Sequence, residues 1–157
     1  MDWTMVFTAG DTDVLLDRTP IQGEPKGVSW GGYAGFSLRL APALKTWNFV
    51  GSSGPENKSS AQGKWMTFSC ALVAPASLPA GGQTGAIVVL DHPKSFRHPT
   101  TWYLVKGMPY FSPAVLYASP YTLPAKQSIT LKYRVLFQPS AVDAGAVEQE
   151  WQKFGGE

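Results

Sequence analysis

Hydrophobic and polar residues alternate with a period of two along most of this chain, a pattern typical of strands with one buried face. The clearest example is Ser128–Gln138, in which Ile129, Leu131, Tyr133, Val135 and Phe137 are predicted to point inwards. The same pattern predicts six further strands, namely Asp2–Ala9, Thr12–Asp17, Tyr33–Leu40, Trp47–Val50, Trp65–Val73 and Thr101–Lys106. Because Ala9-Gly10-Asp11 between the first two is a turn sequence, these two strands are predicted to form a hairpin.

Gly85–Asp91 breaks the alternation with an uninterrupted apolar run, which predicts a strand that is buried on both faces. Three further stretches carry no periodicity and are predicted as loops, namely Gly51–Lys64, Pro75–Gly82 and Gly107–Pro120. The continuous apolar strand is therefore expected to lie at the centre of the structure, with the other strands around it.

One segment near the end of the chain has a helical period. In Ala141–Phe154 the apolar residues Val147, Trp151 and Phe154 follow one another at spacings of four and three. Ser140 with Asp143 three positions later predicts the N-cap, and the glycines after Phe154 predict the end. With about eight short strands and a single helix, the sequence predicts an all-β antiparallel sandwich, built as one domain over residues 1–157.

Composition narrows the range of partners. Charged residues make up 15% of the 157 residues, aromatic residues 13%, and the formal net charge is +2. Since no block of Lys or Arg occurs, we expect neither nucleic acid nor an anionic membrane as a partner. The sequence shows no apolar run of about 18 residues and no signal-peptide pattern, so a soluble protein is expected, with its compartment left open.

The loop after the central strand carries both histidines of the protein. It contains Asp91, His92, Arg97 and His98, and each histidine is followed by a proline that favours extended backbone before it. Imidazoles pass protons near neutral pH, a carboxylate can orient a neighbouring ring, and an arginine can hold an oxyanion or a sugar hydroxyl. We therefore predict His92, His98 and Asp91 as catalytic residues and Arg97 as a substrate-binding residue.

Other interpretations of this loop stay open. Asp91 could cap a turn while His98 packs under the loop. A metal site from Asp91, His92 and His98 would need a spacing that matches no familiar zinc pattern, so no metal and no cofactor are expected. A Ser–His–Asp triad lacks a serine in a GxSxG context.

Aromatic side chains supply a second indication of function. Six of them lie at or beside predicted loops, namely Trp30, Tyr33, Trp102, Tyr103, Tyr110 and Phe111. Aromatic faces stack on the apolar faces of sugar rings, so Trp102 and Tyr103, next to the histidine loop, are predicted to bind a carbohydrate. In the alternative interpretation, these rings fill the ends of the sandwich.

Four stretches, in order, resemble a bacterial family of unknown function that is often labelled PmoA or methane oxygenase. They are DWTMVFTAGD, GGYAGFSLRLAP, LDHPKSFRHPTTWYLV and LPAKQSITLKYRVLFQ. Ser95 and Phe96 stand where that family tends to have Asn and Pro. The resemblance implies a β-sandwich of the galactose-mutarotase-like kind, a role in carbohydrate metabolism, and a chain that corresponds to the later part of a larger domain.

Three hypotheses follow from these observations. The first is a sugar-active enzyme, of a hydrolase, lyase or epimerase-like kind, with acid–base chemistry from the histidine loop. The second is a non-catalytic carbohydrate-binding or structural sandwich, and the third and weakest is a metal-dependent oxygenase. The first predicts that His92, Arg97 and His98 face one pocket with Trp102 as a wall, whereas diverging side chains favour the second.

Overall fold

The computed structural model describes residues 1–44, 46–71 and 84–157, so the loop predicted at Pro75–Gly82 lies outside the described residues. These ranges contain strands joined by antiparallel pairing and one helix near the end of the chain. In chain order they are β1 (Asp2–Thr8), β2 (Val14–Leu16), β3 (Leu38–Arg39), β4 (Trp47–Gly51), β5 (Gly54–Glu56), β6 (Ser60–Gln62), β7 (Trp65–Ala71), β8 (Thr84–Asp91), β9 (Thr101–Val105), β10 (Tyr110–Pro113), β11 (Tyr121–Leu123), β12 (Ser128–Gln138) and α1 (Ala144–Gly155).

The larger sheet has six strands in the order β1-β12-β8-β7-β4-β5. The apolar strand β8 lies in its interior between β12 and β7, as its continuous hydrophobic run predicts. Val88 and Leu90 contact the helix side of the sheet while Val89 contacts the opposite side, and none of the three is exposed. Burial on both faces, predicted from the sequence, is thus confirmed.

A second sheet of four strands, in the order β3-β10-β9-β6, packs on one face of the first. Phe111 from this sheet stacks on Phe68 from the larger one, with ring centroids 5.7 Å apart. Around this pair lies the main core, formed by buried residues of both sheets, namely Phe49, Met66, Val89, Trp102, Leu104, Leu131, Tyr133 and Val135. The protein is therefore an antiparallel β-sandwich, as the alternating sequence predicts.

Helix α1 covers the other face of the six-stranded sheet through Val147 and Phe154, which pack against Trp65, Val88 and Leu90. The helix begins three residues later than predicted, because Asp143, and not Ser140, is its N-cap. The Asp143 carboxylate accepts a hydrogen bond from the backbone N–H of Ala146 at 2.9 Å. Within the described ranges, no helix has the length and hydrophobicity needed to cross a membrane.

The predicted hairpin of the first two strands is wrong. β1 pairs with β12, whereas β2 pairs with β11 in a separate two-stranded sheet. A turn sequence shows where the chain reverses but not which strand it then meets, and here each strand finds a partner from the far end of the chain. β1 is consequently an edge strand, and its Trp3 and Phe7 remain nearly half exposed.

Two predicted loops contain short strands. Gly51–Lys64 includes β5 and β6, and Gly107–Pro120 includes β10. The strand predicted over Tyr33–Leu40 shrinks to the two residues of β3. Strands of two to four residues are too short to show a period, so hydrophobic pattern alone does not locate them.

Candidate functional site

The histidine loop leaves β8 at the edge of the core and turns sharply around Ser95. The backbone N–H of Ser95 donates to the carbonyl of His92 at 2.8 Å, and the Ser95 hydroxyl bonds to both the N–H and the carbonyl of Lys132 on β12. The Ser95 side chain thus fixes the loop to the neighbouring strand.

Asp91 and His98 form a hydrogen-bonded pair of side chains within this loop. Oδ2 of Asp91 lies 2.8 Å from Nδ1 of His98 and accepts a hydrogen bond from the backbone N–H of Thr100 at 3.0 Å. The carboxyl group is 1% exposed, and the His98 side chain is 15% exposed. Burial raises the pKa of Asp91, while the hydrogen bond from His98 partly opposes that shift.

Three buried oxygens beside this pair have no hydrogen-bond partner among the described residues, namely Oδ1 of Asp91, Oγ1 of Thr100 and the hydroxyl of Tyr133. Tyr133 lies directly opposite Asp91 in the pairing of β12 with β8, so both side chains face the main core. Burial raises the pKa of Tyr133, with a smaller contribution from the Asp91 charge. The end of β8 therefore carries a polar cluster within an apolar core.

Trp151 of helix α1 fixes the His98 ring. The two rings stack with centroids 5.9 Å apart, and the indole N–H donates to the backbone carbonyl of Asp91 at 2.8 Å. The Lys64 ammonium lies 4.4 Å from the centroid of the same indole. Because Nδ1 of His98 is occupied by Asp91, Nε2 is the ring nitrogen that can meet a ligand.

His92 faces a different part of the structure. Its ring is fully buried, accepts a hydrogen bond at Nδ1 from the backbone N–H of Lys94 at 3.0 Å, and meets Phe154 edge-on at 4.8 Å. Burial lowers its pKa, and the nearby Lys132 charge adds to that effect. His92 therefore lies under the helix, away from solvent, and its catalytic role stays a prediction.

Arg97 points to a third region. Its guanidinium group donates to the carbonyls of Val115, Ser119 and Pro120 and to the Ser119 hydroxyl, at distances of 2.6 to 3.2 Å. These bonds hold the chain between β10 and β11 against the histidine loop. The substrate-binding role of Arg97 stays a prediction, but in this conformation its donors are directed at the protein itself.

The pocket expected to join His92, Arg97 and His98 is not formed by these side chains, because each of the three has its own partners. Trp102, expected as a wall, is fully buried, and its indole N–H donates to the carbonyl of Gly63 at 2.9 Å. Among the described residues, no three His, Cys, Asp or Glu side chains are placed to hold a metal ion. Of the four predicted site residues in the histidine loop, the structure brings the side chains of Asp91 and His98 into contact.

A separate cleft lies on the outer face of the four-stranded sheet. Tyr103 points to this face because its neighbours Trp102 and Leu104 point into the core. The cleft encloses about 300 Å³ and is lined by Trp30, Tyr33, Arg39, Tyr103, Met108 and Tyr110. Of the three substrate-binding residues predicted from the sequence, Tyr103 is the one that lies in a surface cleft.

The aromatic rings of this cleft form a continuous series. Tyr33 lies 6.3 Å from Trp30 on one side and 6.3 Å from Tyr103 on the other, and Tyr103 lies 6.0 Å from Tyr110. The hydroxyl of Tyr103 donates to the carbonyl of Trp30 at 3.1 Å, which ties the loop to the sheet. Trp30 remains 56% exposed, so a large apolar face is open to a ligand.

Gly32 allows the loop to place Trp30 and Tyr33 over the sheet. Its φ of +101° lies in a region that favours glycine, and a Cβ here would come within 2.7 Å of the Tyr117 ring. A second, more open cleft of about 740 Å³ adjoins the first and shares Tyr33 and Tyr110 with it. The two clefts together form an extended groove with aromatic residues at its centre.

Sequence analysis did not identify Arg39 or Trp151 as site residues. Arg39 is one of the polar residues alternating with Phe36, Leu38 and Leu40, so the pattern marks it as outward-facing and nothing more. Trp151 fits the helical period and is interpreted as a core residue. Only strand register and helix packing reveal that they meet Tyr110 and His98, respectively.

The fold and its surface define an antiparallel β-sandwich with an aromatic cleft on one sheet and a carboxylate–histidine pair at the end of the central strand of the other. The chain matches a family of unknown function, DUF6807, over residues 1–152, and it belongs to that family. No curated protein and no solved structure matches it.

Proposed function

We propose that this protein is a carbohydrate-binding sandwich whose binding site is the cleft formed by Trp30, Tyr33, Tyr103 and Tyr110. The observation that supports this proposal is the series of aromatic rings on the outer face of the smaller sheet, in which Trp30 and Tyr33 are exposed, Tyr110 is partly exposed and Tyr103 is buried beneath them. Aromatic rings stack on the apolar faces of pyranose rings, and phenol hydroxyls beside them bond to sugar hydroxyls.

Two further points favour binding over catalysis as the main role. The cleft contains no carboxylate among its described lining residues, whereas glycoside hydrolysis usually needs a pair of them. The side chains of the histidine loop diverge, as expected for a non-catalytic sandwich. The resemblance to the PmoA-labelled proteins agrees with a carbohydrate ligand, and that link is part of the proposal.

Replacing Trp30 or Tyr33 by alanine is expected to weaken sugar binding at least about tenfold, which corresponds to about 1.4 kcal/mol. Trp30 is 56% exposed and Tyr33 is 40% exposed, so the thermal stability should stay close to that of the wild type. An oligosaccharide array would find the ligand, and isothermal titration calorimetry would measure the loss of affinity.

Trp3→Ala is the matched control, since Trp3 is a similarly exposed tryptophan on β1 that lines neither part of the groove. It should bind as the wild type does. The proposal is wrong if no sugar binds, or if Trp30→Ala and Trp3→Ala bind with equal affinity.

The second candidate function is acid–base catalysis by His98, supported by the 2.8 Å contact with the buried Asp91. An ionised carboxylate at Nδ1 holds the imidazole in one tautomer and leaves Nε2 to take a proton from a substrate hydroxyl. Asp91 would then stabilise the imidazolium that forms. His98 is the one residue of the predicted catalytic set that combines this arrangement with access to solvent.

His98→Gln is expected to lower any turnover of sugar esters or glycosides by about a hundredfold or more, because general-base catalysis contributes about that factor. Chromogenic nitrophenyl derivatives provide the assay, and His92→Gln is a less suitable comparison because that ring is buried. Equal rates for the wild type and His98→Gln, both at background, would assign the Asp91–His98 pair a structural role.

A further inference from the structure

The charge of the residues that line the aromatic cleft indicates which class of sugar the cleft would bind. Arg39 is the one charged residue among the six described residues that line it. Burial raises the pKa of the Tyr103 phenol, and the nearby phenols Tyr110 and Tyr33 raise it further, so Tyr103 stays neutral at neutral pH. The cleft therefore presents aromatic surface together with one positive charge.

The position of Arg39 is fixed by the sheet. On β3 it lies directly opposite Tyr110 of β10, so its side chain extends along the same outer face as that ring. Its neighbour Tyr110 is itself held, since the phenol hydroxyl donates to Ser37 at 2.7 Å. The sheet therefore fixes the position of the Arg39 backbone next to the aromatic rings, whereas a residue on a free loop would have no such fixed position.

Arg39 has little to bind within the protein. Its guanidinium group makes one described hydrogen bond, 3.5 Å to the sulfur of Met108, which is a weak acceptor. No carboxylate of the described residues forms an ion pair with it. By contrast, Arg18 at the far end of the groove is paired with Asp17 and Glu24, at 3.7 and 2.7 Å, so its charge is already balanced.

We infer that the cleft selects acidic sugars, with the carboxylate of a uronic acid bound by Arg39 while the sugar ring stacks on the aromatic series. A guanidinium group offers two parallel N–H donors that match the two oxygens of a carboxylate. This inference rests on the proposed carbohydrate-binding function and adds the class of ligand.

The test compares trisaccharides of galacturonate, glucuronate and mannuronate with their methyl esters, which keep the sugar skeleton and remove the charge. We expect at least one of the acids to bind, and its ester to bind at least about tenfold more weakly, as for the loss of a charge-assisted hydrogen bond. Raising the salt concentration from about 0.05 to about 0.5 M should weaken binding of the acid and leave that of the ester unchanged.

Arg39→Gln should remove the difference between acid and ester, and Arg39→Lys should keep the salt dependence but lose part of the affinity. Lys58→Gln removes the same charge from an exposed site that does not line the cleft, and it should bind as the wild type does.

The outcomes separate the two proposals. If acids and esters bind equally, or if Arg39→Gln keeps the preference for the acid, the inference about acidic sugars is wrong while carbohydrate binding stands. If neither these trisaccharides nor any neutral sugar of the array binds, the proposed function itself fails.

Discussion

Phe154→Ala is expected to lower the free energy of unfolding by about 3–5 kcal/mol, the range for removal of a fully buried phenyl ring. Phe154 packs with Val88 and Leu90 of the central strand and meets the His92 ring at 4.8 Å. The Arg134 guanidinium lies 4.6 Å from the centroid of its ring, on the side of the six-stranded sheet. Denaturant unfolding monitored by circular dichroism measures the loss.

Lys153→Ala is the control for this experiment. Lys153 is the preceding helical residue, its side chain is 72% exposed, and its contact with Glu150 is 4.0 Å long. It should change the stability by less than about 0.5 kcal/mol. A similarly small effect of Phe154→Ala would show that helix α1 is not part of the cooperative unit.

Arg97→Lys should destabilise the protein by about 2–3 kcal/mol although it keeps the positive charge. The planar guanidinium donates to three carbonyls and one hydroxyl between Val115 and Pro120. A single ammonium group cannot place its N–H donors in that planar arrangement. The expected readout is a lower melting temperature together with faster proteolysis of the segment between β10 and β11.

The same substitution distinguishes the two roles considered for Arg97. A ligand-binding arginine would lose affinity with little change in stability, whereas a structural one loses stability with sugar binding kept at temperatures where the protein is folded. Lys94→Ala, on the exposed part of the same loop, is the control and should leave the melting temperature unchanged. An unchanged melting temperature for Arg97→Lys would contradict the structural role.

The sequence predicts the long elements of the fold well because their burial is periodic. β12 shows full alternation and is found with the predicted bounds, and β8 shows a continuous apolar run and lies in the interior of the larger sheet. Phe137 is an exception to its strand's pattern, since it is 64% exposed near the end of β12.

Elements that depend on contacts between distant segments are not predictable in this way. β1 and β2 are sequence neighbours with a turn between them, yet their partners lie more than a hundred residues further along the chain. Which strands pair depends on how the whole sheet assembles, and the local hydrophobic pattern contains no information about that.

The candidate site shows the same limit. The residue types of the histidine loop predict that Asp91 and His98 carry chemistry, and the structure places them 2.8 Å apart. Arg97 and His98 are sequence neighbours, yet Arg97 bonds to the segment between β10 and β11 while His98 bonds to Asp91 and stacks on Trp151. Arg97 also has a left-handed φ of +60°. A single left-handed residue redirects the side chains after it, and its position cannot be read from residue type when that residue is an arginine.

The aromatic cleft and the Asp91–His98 pair are formed by different structural elements. The cleft is formed by the smaller sheet and by the loop that contains Gly32, while the pair is formed by Asp91 at the end of β8 and His98 in the loop after it, with Trp151 of helix α1 packed on them. Substitutions at the two places share no contacts, so their effects on stability should add. Changes in the surface loop that contains Gly32 can therefore alter the shape of the aromatic cleft without disturbing the Asp91–His98 pair or the core beneath it.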